Sequence, residues 1–318
     1  MSAVLESTRF VVDRSRHVCI NLSSLDEITN QLSGMASKNW LEEAPYDVEQ
    51  LAADEKLHFL LVFDAISFSY WGSPKWRIQY QGREYDGSWG LLLCIAKARE
   101  EGKPILNAQY LANISDEEFR SITRGNVDIP LAQQRAQHLR EIGQVLEKKY
   151  DGKFKNLLQG KDRSACVLVE RIAKEFPNFN DVTTYNGEKV CFYKRAQVLI
   201  GCIAHFFNDS EELHVEQREQ LTACADYKLP QMLRAYGILE YSPSLAAEID
   251  AQKEILKGSV EEVEIRANTI WAVEQLTRAI RNTRQEVNAI DVNDQLWLLS
   301  QQKTSKMKPY HLTRTTAY

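Results

Sequence analysis

The sequence has no apolar run long enough to cross a membrane. Its longest runs, FLLVF at 59–63 and WGLLLCIA at 89–96, are far shorter than the roughly 20 residues of a spanning helix. The first residues, MSAVLESTRFVVDRSRH, lack the basic-then-apolar order of a signal peptide. We therefore expect a cytosolic protein, with the nucleus as the alternative compartment.

Cysteine and histidine are present without the spacing of a metal site. The six cysteines form no C-x-x-C pair, and the six histidines form no H-E-x-x-H pattern. Most of the cysteines stand in apolar surroundings such as LLLCIA and VCFY, which predicts buried reduced thiols rather than disulfides. The sequence therefore gives no support to a bound metal.

An excess of basic charge is also missing. The formal net charge is −5 and the pI about 5.8, whereas a polynucleotide ligand usually requires a basic surface. A single phosphate differs, because one or two cations and a helix N-terminus suffice to bind it. The composition thus disfavours nucleic acid as the main ligand and leaves small anionic ligands open.

Helical periodicity dominates what is present. Residues 55–69 are apolar almost all round, which predicts a buried helix, with a strand within 57–63 as the alternative. Residues 130–150 predict a long amphipathic helix with Pro130 in its first turn, and 287–303 a last helix. Capping patterns with Glu three residues later predict further helix starts at Ser24, Ser115 and Ser259.

Two segments alternate instead. WRIQYQGREYDGSW (76–89) alternates around Gln81-Gly82, and DVTTYNGEKVCFY (181–193) around Asn186-Gly187, which predicts two β-hairpins. No internal repeat and no linker rich in Pro, Gly or Ser interrupts the chain. We predict one mainly α-helical domain, residues 1–318, that carries two small hairpins.

The stretch TACADYKLPQMLRAYGILEYS (222–242) places Asp226 before a predicted helix. The spacing alone favours a helix cap, whose carboxylate accepts backbone N–H groups. The alternative is a catalytic acid, since the small residues beside Asp226 leave room for a ligand in contact with Cys224, Ala225 and Tyr227. A carboxylate so placed can stabilise an oxocarbenium ion or activate water.

Two cations, Lys194 and Arg195, stand at the predicted start of the helix AQVLIGCIAHFF. Adjacent cations are typical of a solvated helix end. Cations are nevertheless favoured at the C-terminal end of a helix, so a bound anion would relieve this arrangement. An anionic ligand is therefore plausible here.

Aromatic residues are dense between residues 63 and 93. Core packing is the default explanation. The alternative is a stacking wall for a flat heterocycle, which would include Phe68 and Trp71, with Asp64 or Asp86 placed to bind the donors of the ring.

A third polar cluster lies in AIDVNDQLW (289–297). Asp291, Asn293 and Asp294 fall within four residues of a predicted helix, so they must project over much of its circumference. At least one of them is expected to face the interior or a cleft.

These segments together resemble the queuosine salvage proteins, which are queuosine 5′-phosphate N-glycosylases. The similarity covers most of the chain, and it is carried by the order and number of its segments rather than by one catalytic signature. The matching segments are SRHV, HFLLVFDAISFSYW, WRIQYQGREYDGSW, IPLAQQRAQHLREIG, FPNFNDVTTYNGEKVCFYKRAQVL, ADYKLPQMLRAYGILEYS and IRANTIWAVEQL.

The resemblance implies a single helical domain similar to helix-hairpin-helix DNA glycosylases. It implies hydrolysis of a free nucleotide, queuosine 5′-monophosphate, to queuine and ribose 5-phosphate. No metal or organic cofactor, no direct contact with nucleic acid and no membrane are expected. The catalytic acid of the family falls on Asp226 and its lysine on Lys194, with Arg195 helping to orient the ribose or phosphate. Phe68, Trp71 and Tyr227 are candidates for the base pocket.

The chain departs from the family pattern at three positions. Ser67 replaces an amide after Asp64, and Cys202 stands where an aspartate is common. Asn293 falls on the aspartate that recognises the base, so the charge that would pair with the cationic amine of queuine is lost there. Asp291 or Asp294 would have to supply it.

Two other classes of function remain open from the sequence. One is a base-excision enzyme acting on DNA or RNA, which the acidic balance disfavours. The other is a non-catalytic helical protein that binds a modified base or nucleotide without turnover.

Overall fold

The computed structural model describes residues 2–36, 38–302 and 306–318. Within these ranges no helix is both long and apolar enough to span a bilayer. The secondary structure is mainly helical, as predicted. The helices are α1 (Ala3–Val12), α2 (Leu25–Ser33), α3 (Ala53–Ala65), α4 (Gly87–Glu100), α5 (Ala108–Asn113), α6 (Asp116–Ile122), α7 (Ala132–Lys149), α8 (Phe154–Leu158), α9 (Ala165–Glu175), α10 (Lys194–Phe206), α11 (Lys228–Ala235), α12 (Pro243–Asp250), α13 (Val260–Arg281) and α14 (Ala289–Ser300).

Among the residues that the structure describes, six short strands form three antiparallel pairs. The predicted hairpins are both confirmed, with Gln81-Gly82 and Asn186-Gly187 as their turns at positive φ. The third pair joins β1 to β6 with Val18 opposite Tyr241, and it was not predicted. The strands are β1 (Val18–Ile20), β2 (Arg77–Tyr80), β3 (Arg83–Asp86), β4 (Val182–Tyr185), β5 (Glu188–Cys191) and β6 (Leu239–Tyr241).

Most of the predicted helices are present, with differences at their starts. Ser115 and Ser259 cap α6 and α13 through their hydroxyl groups, as expected. Ser24 is the residue before α2, as predicted, but its side chain makes no capping hydrogen bond. Pro130 lies before α7 rather than in its first turn, because Leu131 adopts a left-handed conformation as the cap residue. No strand replaces α3 at 57–63.

Helix α13 is the centre of the core. It packs against α1, α2, α11 and α14, and several of its polar side chains, such as Glu262, Glu264 and Arg266, are buried. Glu264 accepts hydrogen bonds from three successive backbone N–H groups that lead into β1 and from the Tyr185 hydroxyl at 2.9 Å. Arg266 pairs with Asp181, next to β4. These pairs explain why a helix so rich in charge lies in the interior, since each buried charge has hydrogen-bonded partners.

An extended segment follows α3 and is fixed by one buried arginine. The guanidinium of Arg135, on α7, donates to the backbone carbonyls of Ile66, Phe68 and Ser69. The C-terminal residues run beside this segment: the Ser69 N–H donates to the Tyr318 carbonyl at 2.9 Å. The contacts bring the end of α3 and the end of the chain to the same wall of one pocket.

Candidate active site

One pocket gathers residues from the starts of α4, α10 and α11, from α14 and from the C-terminal segment. It encloses about 980 Å³ of space between protein atoms, including the solvent at its mouth. Pockets of this size hold small organic ligands. Of the residues that the sequence singled out, the pocket wall contains Ser67, Phe68, Asp86, Lys194, Cys224, Asp226, Tyr227, Asn293 and Asp294.

Asp226 lies at the start of α11 and is 8% exposed. Its Oδ1 accepts the backbone N–H groups of Lys228 at 2.7 Å and Leu229 at 3.0 Å. Its other oxygen, Oδ2, has no hydrogen-bond partner in the described part of the chain. The carboxylate therefore caps the helix, as the spacing favours, and it also lies in the pocket wall. Its role as the catalytic acid stays a prediction.

Lys194 is the first residue of α10, after Tyr193 in a left-handed conformation. Its backbone N–H donates to Asp181 at 3.2 Å, which fixes the start of the helix. Its side chain lines the pocket. Asp181, held in turn by Arg266, thus positions Lys194 at the wall.

Arg195 does not reach the pocket, which corrects its assignment to substrate binding. It is 1% exposed, and its guanidinium donates to the backbone carbonyls of Asp64, Ala65 and Asn178. Burial lowers the pKa of Arg195 to about 10. Its neighbour Lys194 faces another direction because successive helical residues are about 100° apart.

Asp64 also lies outside the pocket wall, so the structure does not place it to bind the base directly. It is 1% exposed, and neither carboxyl oxygen has a hydrogen-bond partner among the described residues. Burial raises its pKa to about 8, and the charges of Lys194 and Arg195 only partly oppose this. A carboxyl group with that pKa is mostly protonated at neutral pH.

Three tryptophans form one end of the pocket, which we call the tryptophan end: Trp40, Trp89 and Trp297. Their ring centroids are 5.4 Å apart for Trp40 and Trp89 and 5.0 Å apart for Trp89 and Trp297. Phe63 packs on Trp40 at 5.5 Å. Such rings present both flat faces and edges to a ligand, which suits a planar heterocycle.

A buried carboxylate adjoins the tryptophan end. Asp294 accepts hydrogen bonds from the Asn39 side chain at 3.1 Å and the Trp40 N–H at 3.3 Å. Asn293 donates to it at 3.0 Å and accepts the Cys224 N–H at 2.8 Å. Burial raises the pKa of Asp294 to about 7, against the effect of these donors.

Asp291 is not part of this wall. It completes a capping box with Asn288 at the start of α14 and pairs with Arg218 at 2.5 Å. Of the two acids that could compensate for Asn293, Asp294 is therefore the one at the pocket.

Two further sequence candidates serve other contacts. The indole N–H of Trp71 donates to the Thr313 carbonyl at 3.2 Å, and Trp71 does not line the pocket. The carbonyl of Ala225 accepts from Arg266 at 3.2 Å, which orients the turn before Asp226. Neither residue lines the pocket, so the structure does not place them in contact with a ligand there.

Several pocket residues were not singled out from the sequence as ligand contacts. They come from segments far apart along the chain, and single lysines or tyrosines carry no local signal of a site. Tyr310 packs against Tyr227, with ring centroids 4.7 Å apart and the ring planes tilted by 33°. The residues that the sequence missed include Trp40, Lys75, Ser88, Lys228, Trp297, Tyr310 and Tyr318.

The fold and the pocket define a mainly helical protein with a site for a small planar ligand, where one carboxylate oxygen remains available for chemistry. Comparison with known proteins is more specific. The sequence model of the family described as queuosine salvage protein matches residues 48–318. The chain belongs to this family, and the resemblance seen in its sequence is confirmed.

Individual relatives match over nearly their whole length. A protein of Sphaerobacter thermophilus is 39% identical, with 99% of this chain and 97% of that protein covered. Proteins of Mus musculus and Bos taurus are 32% and 30% identical, each covering 98% of both chains. All three are named queuosine 5′-phosphate N-glycosylase/hydrolase.

Proposed function

We propose that this protein hydrolyses the N-glycosidic bond of queuosine 5′-monophosphate and releases queuine for salvage into tRNA modification. Membership of the queuosine salvage family supports the substrate and the reaction. The observation that carries the chemistry is the position of Asp226, whose Oδ1 is fixed by two backbone N–H groups while the side chain lines the pocket.

The reaction breaks the bond between C1′ of the ribose and the heterocycle nitrogen. As that bond lengthens, its electron pair moves to the heterocycle and positive charge builds on the sugar. The carboxylate of Asp226 stabilises this charge or holds the attacking water. The water oxygen joins C1′, and the proton that it loses balances the one taken up by the leaving base.

The two backbone hydrogen bonds make Asp226 an ordered group before substrate arrives. A preorganised charge is not reoriented during the reaction, which is the source of most electrostatic catalysis. The cap of α11 and the catalytic carboxylate are thus the same feature. In this scheme Lys194, also fixed at a helix start, orients the ribose.

The tryptophan end is the proposed base site. Its rings stack on the deazaguanine system, and Asp294 faces the cationic amine of queuine. Asp294 then supplies the charge that Asn293 lacks, while Asn293 holds it through a hydrogen bond. Phe68, Cys224 and Tyr227 complete the contacts around the nucleotide.

The wider assignments are also part of the proposal. We expect a single domain similar in fold to helix-hairpin-helix DNA glycosylases, a free nucleotide rather than a polynucleotide as substrate, and a cytosolic location with the nucleus as the alternative. The net charge of −5 supports the choice of a free nucleotide.

A base-release assay tests the function. Purified protein is incubated with queuosine 5′-monophosphate, queuosine or guanosine 5′-monophosphate, and the released base is measured by mass spectrometry. We expect release of queuine from the first substrate, faster than any release from the other two. Binding of queuosine 5′-monophosphate without release would favour a non-catalytic binding protein instead.

A further inference from the structure

Arg266, on α13, is a buried arginine outside the pocket wall. It is 2% exposed, and its guanidinium makes a two-point ion pair with Asp181, with N–O distances of 3.0 and 2.5 Å. Glu262, one helical turn earlier, adds a carboxylate oxygen 3.6 Å from Nη1. Burial lowers the pKa of Arg266, but these two carboxylates raise it by more, so the guanidinium stays charged.

Asp181 holds the entry to α10. Its backbone carbonyl accepts the N–H groups of Phe192 at 3.0 Å and Tyr193 at 3.2 Å, and its carboxylate accepts the N–H of Lys194 at 3.2 Å. The guanidinium of Arg266 also lies 3.9 Å from the centre of the Phe192 ring. Three successive N–H groups are thus fixed by one residue that Arg266 holds, and the last of them belongs to Lys194 in the pocket wall.

The same guanidinium reaches the turn before α11. Its Nε–H donates to the carbonyl of Ala225 at 3.2 Å. Ala225 is bonded directly to Asp226, whose carboxylate caps α11. Among the described residues no hydrogen bond joins Asp181 to α11, so Arg266 links the two helix starts through its own donors.

We propose that Arg266 is a positioning residue, which holds Asp226 and Lys194 at a fixed separation by bonding to the starts of both helices. The inference rests on the proposed function. Because a guanidinium is planar and its N–H donors have a fixed geometry, the bonds to Asp181 and to the Ala225 carbonyl constrain each other. A displacement of about 1 Å between reacting groups can lower a rate by about 100-fold.

The rate test uses Arg266→Lys, alone and combined with Asp226→Asn. Lysine keeps a positive charge beside the buried carboxylates, but one ammonium does not reproduce the planar fork. We expect kcat for queuosine 5′-monophosphate to fall about 10- to 100-fold in Arg266→Lys, while the affinity for queuine stays near the wild-type value. In the Asp226→Asn background the same substitution should cost about threefold at most, because the carboxylate that it misplaces is already absent.

The matched control is Arg234→Lys. Arg234 lies on α11, makes a two-point ion pair with Asp250 at 2.7 and 3.0 Å, and does not line the pocket. Its kcat should equal that of the wild type. An equal fractional loss from Arg266→Lys with and without the Asp226 carboxylate, or no loss in either background, would overturn the assignment.

Hydrogen exchange separates this inference from the proposed function, because it requires no turnover. Asp181→Asn keeps the size of the side chain and one acceptor oxygen but removes the charge that pairs with Arg266. We expect exchange of the Lys228 and Leu229 amides, which the Asp226 carboxylate caps, to rise about fivefold relative to amides within α7. A change at Asp181 would thereby reach α11 without a direct hydrogen bond between them.

The outcomes of the exchange experiment are distinct. Faster exchange at the start of α10 with wild-type exchange at the start of α11 would show that the two helix starts are held independently, and the assignment would fail whether or not base is released. A rise at α11 in a protein that releases no base would support the link and leave only the proposed function overturned. If Arg266→Lys does not fold, Asp181→Asn takes its place in the rate test, with the same outcomes.

Discussion

The tryptophan end and the lysine rim differ in how complete they are without a ligand. At the tryptophan end the three rings pack on one another and the Asp294 carboxylate accepts three hydrogen bonds from protein donors. At the lysine rim, formed by Lys75, Lys228 and the start of α4, the Lys228 ammonium has one hydrogen-bond partner among the described residues, the neutral Gln231 at 3.5 Å. Within the same residues, no side chain caps the start of α4.

This difference indicates two kinds of recognition. A prebuilt wall selects by shape, because its side chains lose little freedom when a planar base enters. The two lysines of the rim, which Asp86 and Asp226 compensate in part, would attract an anion electrostatically, and that contribution depends on ionic strength. Asp226 lines the same pocket as both and stands two residues before Lys228 at the start of α11.

The largest expected effect concerns Asp226 itself. Asp226→Asn retains a capping oxygen for α11 but removes the negative charge, so kcat should fall by about two to four orders of magnitude. Binding of queuine and of ribose 5-phosphate should change far less, since neither carries the transition-state charge. Single-turnover rates and calorimetry measure the two quantities.

Full activity in Asp226→Asn would show that the carboxylate is only a helix cap. Glu248→Gln, on the exposed face of α12, is a control that removes a carboxylate without changing the pocket.

The second comparison separates a pocket cation from the structural cation beside it. Arg195→Met would leave buried carbonyls without donors and should lower the free energy of unfolding by roughly 3 kcal/mol or more. Lys194→Met should lower it by about 1 kcal/mol at most, because the side chain lines a cavity, but should reduce kcat/KM. Urea unfolding and the base-release assay measure both.

If our placement of Lys194 and Arg195 is wrong, the two variants should show the opposite effects on stability and turnover. A stable Arg195→Met protein with impaired turnover would return Arg195 to the site. An unstable Lys194→Met protein would make Lys194 a residue of the fold.

The sequence predicted what depends on local patterns. Both hairpins follow from two-residue turns, and α6 and α13 follow from capping serines. The pairing of β1 with β6 could not be predicted, because its residues are more than 200 positions apart. No short-range pattern encodes such a contact.

The candidate site was predictable only in part for the same reason. Asp226 and Lys194 were found because each stands at a helix start within a segment that the family resemblance covers. Arg195 lies away from the pocket wall that contains Lys194, because residues adjacent in sequence do not share a face of a helix. Lys75 and Lys228 were missed because each is an ordinary lysine until the fold brings them together at one rim.

The third prediction tests whether the rings of the tryptophan end bind the planar base. Trp89→Leu removes a ring that packs against both other tryptophans. Stacking of a base on an aromatic ring contributes about 1–3 kcal/mol, so the affinity for queuine should fall roughly 10- to 100-fold. Binding of ribose 5-phosphate should stay near the wild-type value, and a parallel loss of both would mean that the pocket had collapsed.

The smallest expected effect is a pH dependence at the same end. The pKa of Asp294 is raised to about 7, so its carboxyl is mostly neutral at pH 6 and mostly charged at pH 8. Affinity for queuine, whose amine is cationic, should therefore rise by about tenfold at most from pH 6 to pH 8, since a single carboxyl ionises. Arg218 and Asp291 are the charged groups that act on Asp294, and they oppose each other. In Asp294→Asn the rise should disappear, and guanine, which has no cationic amine, should show none with the wild type. If the affinity of the variant for queuine rises with pH as that of the wild type does, another group titrates and Asp294 does not bind the cationic amine of the base.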